Sequence, residues 1–156
     1  MPETRKPGGS FPLWRAATSE DETFLRTLHA ETQVDFEGLP ERGVLLDLQY
    51  RARAAGYAAR YPHARRLILL GAAGPVGMLL LAEEEEITLV VDLAVLPAWQ
   101  GRGVASAALR TVQATCGSGG VRLHVRADSP ARQLYGRLGF REVSDDTLNV
   151  AMHWTP

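Results

Sequence analysis

The sequence predicts an α+β domain of three layers, a mixed and mostly antiparallel sheet with helices on both faces. Three observations point there. Apolar runs over residues 66–71, 76–82 and 87–96 are separated only by Ala73-Gly74-Pro75 and by Glu83–Glu86, so consecutive strands pair through tight turns. Amphipathic helical segments stand on both sides of this block. A later strand, 121–125, lies between two helices and is followed by a hairpin, which mixes a crossover into the sheet.

Taken in order, residues 1–10 hold Pro2, Pro7, Gly8 and Gly9 among charges and read as a disordered tail before a single domain over 11–156. Residues 11–16 suit a short first strand. Ser19 with Glu22 reads as a capping box, and Phe24, Leu25 and Leu28 follow at helical spacing. A second helix is expected over 45–61 with Leu45, Leu48, Ala52, Ala55 and Ala59 as its buried stripe, ended by Pro62. Gly56 in its middle should cost roughly 1 kcal/mol against alanine. After the three strands, Pro97 and a glycine turn lead to a helix over 103–116, on which Val104, Ala108, Leu109, Val112 and Cys116 share a side. The strand 121–125 follows. Ser129 and Pro130 then open a helix with Ala131, Leu134, Tyr135 and Leu138 inward and Gly139 just past its end. Residues 140–143 and 148–154 form the terminal hairpin.

Composition bounds the function. The chain has 156 residues, 46% apolar and 22% charged, with a net charge of −1. That leaves no overall field to recruit nucleic acid or an anionic membrane. Cys116 is the one cysteine, so neither an internal disulfide nor a cysteine-type zinc site can form. The first ten residues lack the apolar core of a signal peptide, and no apolar run is long enough to span a bilayer. A cytoplasmic protein without a metal is expected.

The segment 93–106 carries the chemistry. A buried strand ends at Leu96-Pro97, a glycine turn follows, and a helix opens on small residues. Backbone N–H groups over 101–105 would converge at the positive end of the helix dipole, an anion site suited to a diphosphate. The turn lacks the Gly-Lys-Ser/Thr ending of a Walker loop and the third glycine of a Rossmann loop, which argues against an ATP or GTP protein.

Gln100-Gly101-Arg102-Gly103-Val104-Ala105 resembles the acyl-CoA loop, Gln/Arg-x-x-Gly-x-Gly/Ala, of the GCN5-related N-acetyltransferase (GNAT) superfamily. Downstream, residues 128–140 are similar to that family's Asn-x-x-Ala-x-x-Leu-Tyr-x-x-x-Gly-Phe. The resemblance covers residues 64–154 by motif and 11–63 by element order. It implies a GNAT fold in which strands 87–96 and 121–126 splay to admit pantetheine. Ala94 and Val95 would contact the pantetheine. Gln100, Gly101, Arg102, Gly103, Val104, Ala105 and Ser106 would hold the pyrophosphate, with Asp128, Ala131 and Tyr135 also on the cofactor side. Acetyl-CoA is then the acyl donor, and Tyr135 the acid that protonates the departing thiolate, unless it simply packs. Asp128 departs from the family's asparagine: an ionised carboxylate cannot donate and sits poorly near phosphates.

The implied reaction is direct transfer to an amine, on a small molecule or a peptide, which must first lose a proton. Asp92 is the ionisable residue inside an otherwise apolar strand, so it is the candidate base. Its alternative is an aspartate satisfied by backbone or a neighbouring arginine. Glu86, His124 and Arg126 reach the cleft region by topology. Asp35, Glu37 and Glu41 between the first two helices would suit a cationic amine, or are a solvated loop. A GNAT-like module that binds acyl-CoA without turnover is the competing function. A homodimer is open, through the terminal strand with Met152 and Trp154.

Overall fold

The computed structural model describes residues 4–5 and 13–156. Two short strands, β1 (Thr4–Arg5) and β2 (Leu13–Ala16), precede helices α1 (Glu22–Thr32) and α2 (Arg42–Arg60). Strands β3 (Arg65–Gly71), β4 (Gly74–Glu84) and β5 (Ile87–Val95) follow, then α3 (Val104–Thr115), β6 (Val121–Arg126), α4 (Ala131–Arg137), β7 (Arg141–Asp145) and β8 (Asn149–Trp154). Most of the expected tail lies outside the described residues, but Thr4 and Arg5 pair antiparallel with Arg15 and Trp14.

The eight strands form one sheet in the order β1-β2-β3-β4-β5-β6-β8-β7. Every pairing among the described residues is antiparallel except β5 with β6, as the crossover through α3 requires. β8 lies between β6 and β7 and is paired on both edges, so the terminal strand has no free edge for a second subunit. Met152 is buried and Trp154 packs on the core instead.

Each face of the sheet carries its own core. On one, Leu67, Leu69, Leu79, Leu81, Val90, Val121 and Leu123 pack against Val104, Ala108, Leu109 and Val112 of α3. On the other, Ile68, Met78 and Leu80 meet Leu25 and Leu28 of α1. The alternation of leucines along β3 and β4 is what fills both sides at once. None of the helices among the described residues is long and apolar enough to cross a membrane.

Two local expectations change. The cap before α1 sits one residue earlier: Thr18 Oγ1 accepts from Glu20 N–H (3.3 Å), and Asp21 Oδ2 accepts from Thr18 N–H (2.8 Å). Asp21, 6% exposed, also takes a two-pronged bond from Arg15, both contacts 2.8 Å, which ties β2 to the start of α1. The larger correction concerns α2. Leu48, Ala52, Ala55 and Ala59 of the expected buried stripe are exposed, and Leu45 is half-buried. Leu46 is the buried residue, and Tyr50 and Tyr57 follow it on the inner side. The reason is that the inner face of α2 borders an open cleft rather than a closed core.

A bulge decides where Asp92 points. Leu80 pairs with Asp92, but Leu81 pairs with Val90, so Val91 is an extra residue in β5. Alternation counted from Val90, which faces α3, would place Asp92 on that face too. The extra residue moves it opposite Leu80, onto the α1 and α2 side.

Candidate active site

β5 and β6 pair only from Thr88 to Val90 against Val121 to Leu123. Beyond that the two strands part, and a cleft of about 710 Å³ occupies the opening. At its edge β5 ends with Leu96 N–H bonded to Val76 O (2.8 Å), and the Gln100 amide reaches back to donate to Val95 O (3.0 Å). Gly101 and Gly103 then adopt φ of 75° and 81°, the left-handed region that disfavours any side chain. No atom lies within 4 Å of where their Cβ atoms would be.

α3 starts at Val104, and its first intrahelical bond runs from Ala107 N–H to Gly103 O (2.9 Å). The N–H groups of Val104, Ala105 and Ser106 therefore have no helix partner, and no acidic residue stands in this first turn. With Gly101 and Gly103 these residues line the cleft. The result is a cradle of backbone donors at the positive end of a twelve-residue helix.

α4 supplies the opposite rim. Ser129 Oγ accepts from Ala131 N–H (3.2 Å) at the helix start, and Ala131, Leu134 and Tyr135 face the cleft. The Tyr135 ring meets Phe140 edge-on, centroids 6.1 Å apart, while its hydroxyl bonds no described residue. Burial, and secondarily the Asp92 carboxylate, pushes the phenol pKa above its ordinary 10.0. The group is therefore a proton carrier at any physiological pH.

The floor toward α1 and α2 is built from Asp92 with His29, Tyr50, Arg53, Tyr57 and Arg66. Burial raises the Asp92 pKa above the ordinary 3.8, opposed by the Arg53 guanidinium, the Leu93 N–H, Arg66 and His29. The same carboxylate, after burial, helps raise the Tyr57 phenol. His29, only 8% exposed, is held by a chain: its Nε2 lies 2.8 Å from Gln49 Oε1, and Gln49 Nε2 donates to Asp35 Oδ2 (3.0 Å). Because a glutamine oxygen can only accept, Nε2 carries the hydrogen, and the ring is oriented from outside the cleft.

The cleft thus gathers Asp92, Ala94, Val95, Gln100, Gly101, Gly103, Val104, Ala105, Ser106, Ala131 and Tyr135. Two other expected cofactor residues stand away from it. Arg102 lies over the Trp99 ring at 5.1 Å, and Asp128 is exposed and ion-paired with Arg126 (3.2 Å). Glu86 accepts from Ser118 Oγ, and His124 borders a different groove, so with Arg126 these three fall outside the cleft. Glu37 and Glu41 are solvated; Asp35 serves the chain to His29. His29, Tyr50, Arg53, Tyr57 and Arg66 were not anticipated. The signal in the sequence was Tyr50, Arg53 and Tyr57 at i, i+3 and i+7, a polar face that the neighbouring alanines and leucines concealed.

Residues 63–142, just over half the chain, match the family model described as an acetyltransferase (GNAT) domain. The chain belongs to the GNAT acetyltransferase family. Its shared chemistry is acyl transfer from coenzyme A. Solved structures agree on the fold. A histone acetyltransferase HPA2-related protein from Corynebacterium glutamicum superposes with a TM-score of 0.71 at 21% identity, covering 94% of this chain and 97% of that one. The PaiA N-acetyltransferase of Thermoplasma acidophilum, in complex with coenzyme A, gives 0.70 at 14% identity, over 94% and 100%. An acetyltransferase from Thermus thermophilus gives 0.65 at 21% identity, over 90% and 94%. No curated protein matches the chain by sequence.

Proposed function

We propose that this GNAT protein is an N-acetyltransferase that passes the acetyl group of acetyl-CoA to a primary amine by direct attack. One observation carries the reading most: the unpartnered N–H groups that open α3, the Asp92 carboxyl and the Tyr135 phenol all line a single cleft. The residues fit the donor. Open space at Gly101 and Gly103 leaves room for a pyrophosphate against the N–H groups of Val104, Ala105 and Ser106. The parted ends of β5 and β6 leave room for a pantetheine arm beside Ala94 and Val95. The Val95 carbonyl accepts one bond from Gln100, and its second lone pair is left for a pantetheine amide. Arg102 and Asp128 take no part in this arrangement.

Bound acetyl-CoA supplies a thioester, and attack by the amine nitrogen on its carbonyl carbon forms the C–N bond as the C–S bond breaks. Asp92 takes a proton from the incoming ammonium, freeing the nitrogen lone pair. Its raised pKa makes it a better base than a solvated aspartate. Tyr135 gives its proton to the departing sulfur, and the proton shed by the nitrogen restores the phenol. The raised phenol pKa keeps that proton in place until the thiolate develops.

Calorimetric titration with acetyl-CoA, with desulfo-CoA and ATP as controls, tests the donor site. Binding of acetyl-CoA but not ATP, weakened in a Gly103 variant, supports the assignment. Well-folded protein that binds no CoA species overturns it.

A further inference from the structure

A second groove, about 640 Å³, opens on the α2 side of the sheet over Leu89, Val90 and Val91. It shares Arg53 and Tyr57 with the main cleft, so the two adjoin along α2, one residue from Asp92 at Val91. Its polar walls are Arg53, Arg60, Arg122 and His124, with Gln49 and the two tyrosines 57 and 61, and no carboxylate lines it.

None of its three arginines is ion-paired among the described residues. Arg53 makes no hydrogen bond, and Asp92 acts on it only at longer range. The Nε of Arg122 is buried with no partner, a donor that water does not reach. The Arg60 guanidinium sits over the Tyr61 ring, 5.3 Å from its centre, which braces it at the rim. The other charges nearby are Arg66 and His29 beside Asp92, Asp35 behind the lining Gln49, and Asp146, whose carboxylate faces His124 at the outer edge. Cations therefore outnumber carboxylates throughout this region. Gly56 borders the groove with no atom within 4 Å of its Cβ position, so any larger residue there would project into the space.

Resting on the transferase reading above, we propose that the acceptor is a small amine that also bears an anionic group, a carboxylate or a phosphate. Its nitrogen reaches Asp92 while Arg53, Arg122 and Arg60 hold the anion in the second groove. Guanidinium groups suit that task because their planar N–H pairs match two oxygens of either anion. The same surplus of cations repels a polyamine, whose remaining charges would have to cross it.

Initial rates with matched acceptors test the idea: an amino acid against the amine lacking its carboxylate, an amino-sugar phosphate against the free amino sugar, and spermidine. The anionic member of at least one pair should exceed its uncharged partner by about tenfold or more in kcat/KM, the worth of one charge-assisted contact. The preferred pair separates carboxylate from phosphate. Arg122→Gln should remove most of that advantage by raising the acceptor KM, with the KM for acetyl-CoA unchanged. Arg60→Gln, at an exposed position, should do so in part and guards against misfolding of the first variant. Preference for spermidine or for the uncharged amines, or an equal loss on every acceptor, refutes the anion site alone. Acetyl-CoA binding without acetylation of any amine refutes the transferase reading and the inference with it.

Discussion

Replacing Tyr135 with phenylalanine removes one oxygen and nothing else. The ring remains against Phe140 and the core, and the hydroxyl has no hydrogen bond among the described residues to lose. Folding stability should therefore change by less than about 0.5 kcal/mol, as for a substitution that breaks no structural contact. Affinity for acetyl-CoA should stay within about twofold of wild type, since the α3 cradle is untouched. Turnover is different. A positioned acid contributes about 10²–10⁴-fold, so the loss expected is at least 100-fold, or about 2.7 kcal/mol in the barrier. Release of free thiol, followed with a chromogenic disulfide under saturating acceptor, measures kcat, and calorimetry measures the donor affinity on the same preparation. The loss should appear in kcat rather than in KM for the donor. A variant that keeps turnover within about threefold refutes the acid role, and water would then have to protonate the sulfur.

Other outcomes follow from the same geometry. Gly103→Ala forces a side chain into φ of 81°, costing about 1–2 kcal/mol, and its methyl enters the open cradle, so the acetyl-CoA Kd should rise by an order of magnitude or more in calorimetry. Asp21→Asn should cost about 2 kcal/mol in urea unfolding, because Arg15 loses a charged partner. In the wild type the pairing with Arg15 lowers the Asp21 pKa below 3.8, so its contribution is complete above that value and is lost as pH falls through the lower folded value; acid unfolding should flatten in the variant. Gly56→Met should stabilise α2 by up to about 1 kcal/mol in thermal melts yet raise the acceptor KM, an opposition that a purely structural glycine would not produce. The acid limb of the kcat/KM profile should fall as pH drops through the raised Asp92 pKa and be absent from the residual activity of Asp92→Asn, which has no carboxyl to titrate.

Elements whose boundaries depend on local chemistry were legible without coordinates. Pro97 and the Gly101 and Gly103 turn act within a few residues, and each stands where the spacing puts it, while the start at Ser129-Pro130 falls one residue later than expected, with Pro130 at the cap and α4 opening at Ala131. The orientation of α2 was not legible, because the apolar periodicity that normally marks an inner face ran along Leu48, Ala52 and Ala55, which face solvent. Burial drives that correlation only where a helix closes on a core. α2 closes on a cleft, and what faces a cleft is chosen for the molecule that enters it. Asp128 shows the same limit in a loop. Its place in the motif matches a cofactor residue, but Arg126 two positions earlier captures the carboxylate.

The register of β5 is the step on which the proposed chemistry turns, and no local pattern announces it. Asp92 belongs to a run of branched residues that reads as unbroken strand. Only the pairing of Leu80 with Asp92 and of Leu81 with Val90 reveals that Val91 is supernumerary. The bulge turns the carboxyl away from α3 and toward Arg53, Arg66 and His29. It also lies next to Val90, the last β5 residue paired with β6 before the strands part. The face that Asp92 occupies is thus read from the pairing alone, and the bulge adjoins the opening proposed to admit the thioester, where its added twist helps to part the strands. Deleting Val91 would make Val90 and Asp92 consecutive partners of Leu81 and Leu80, so Asp92 would stay on the α1 and α2 side and only the added twist beside the last β5–β6 pair would be lost. Such a variant should keep its carboxyl in the cleft, so it isolates the opening: a rise of about tenfold in the acetyl-CoA Kd by calorimetry is expected if the twist of the bulge parts the strands, and an unchanged Kd refutes that role.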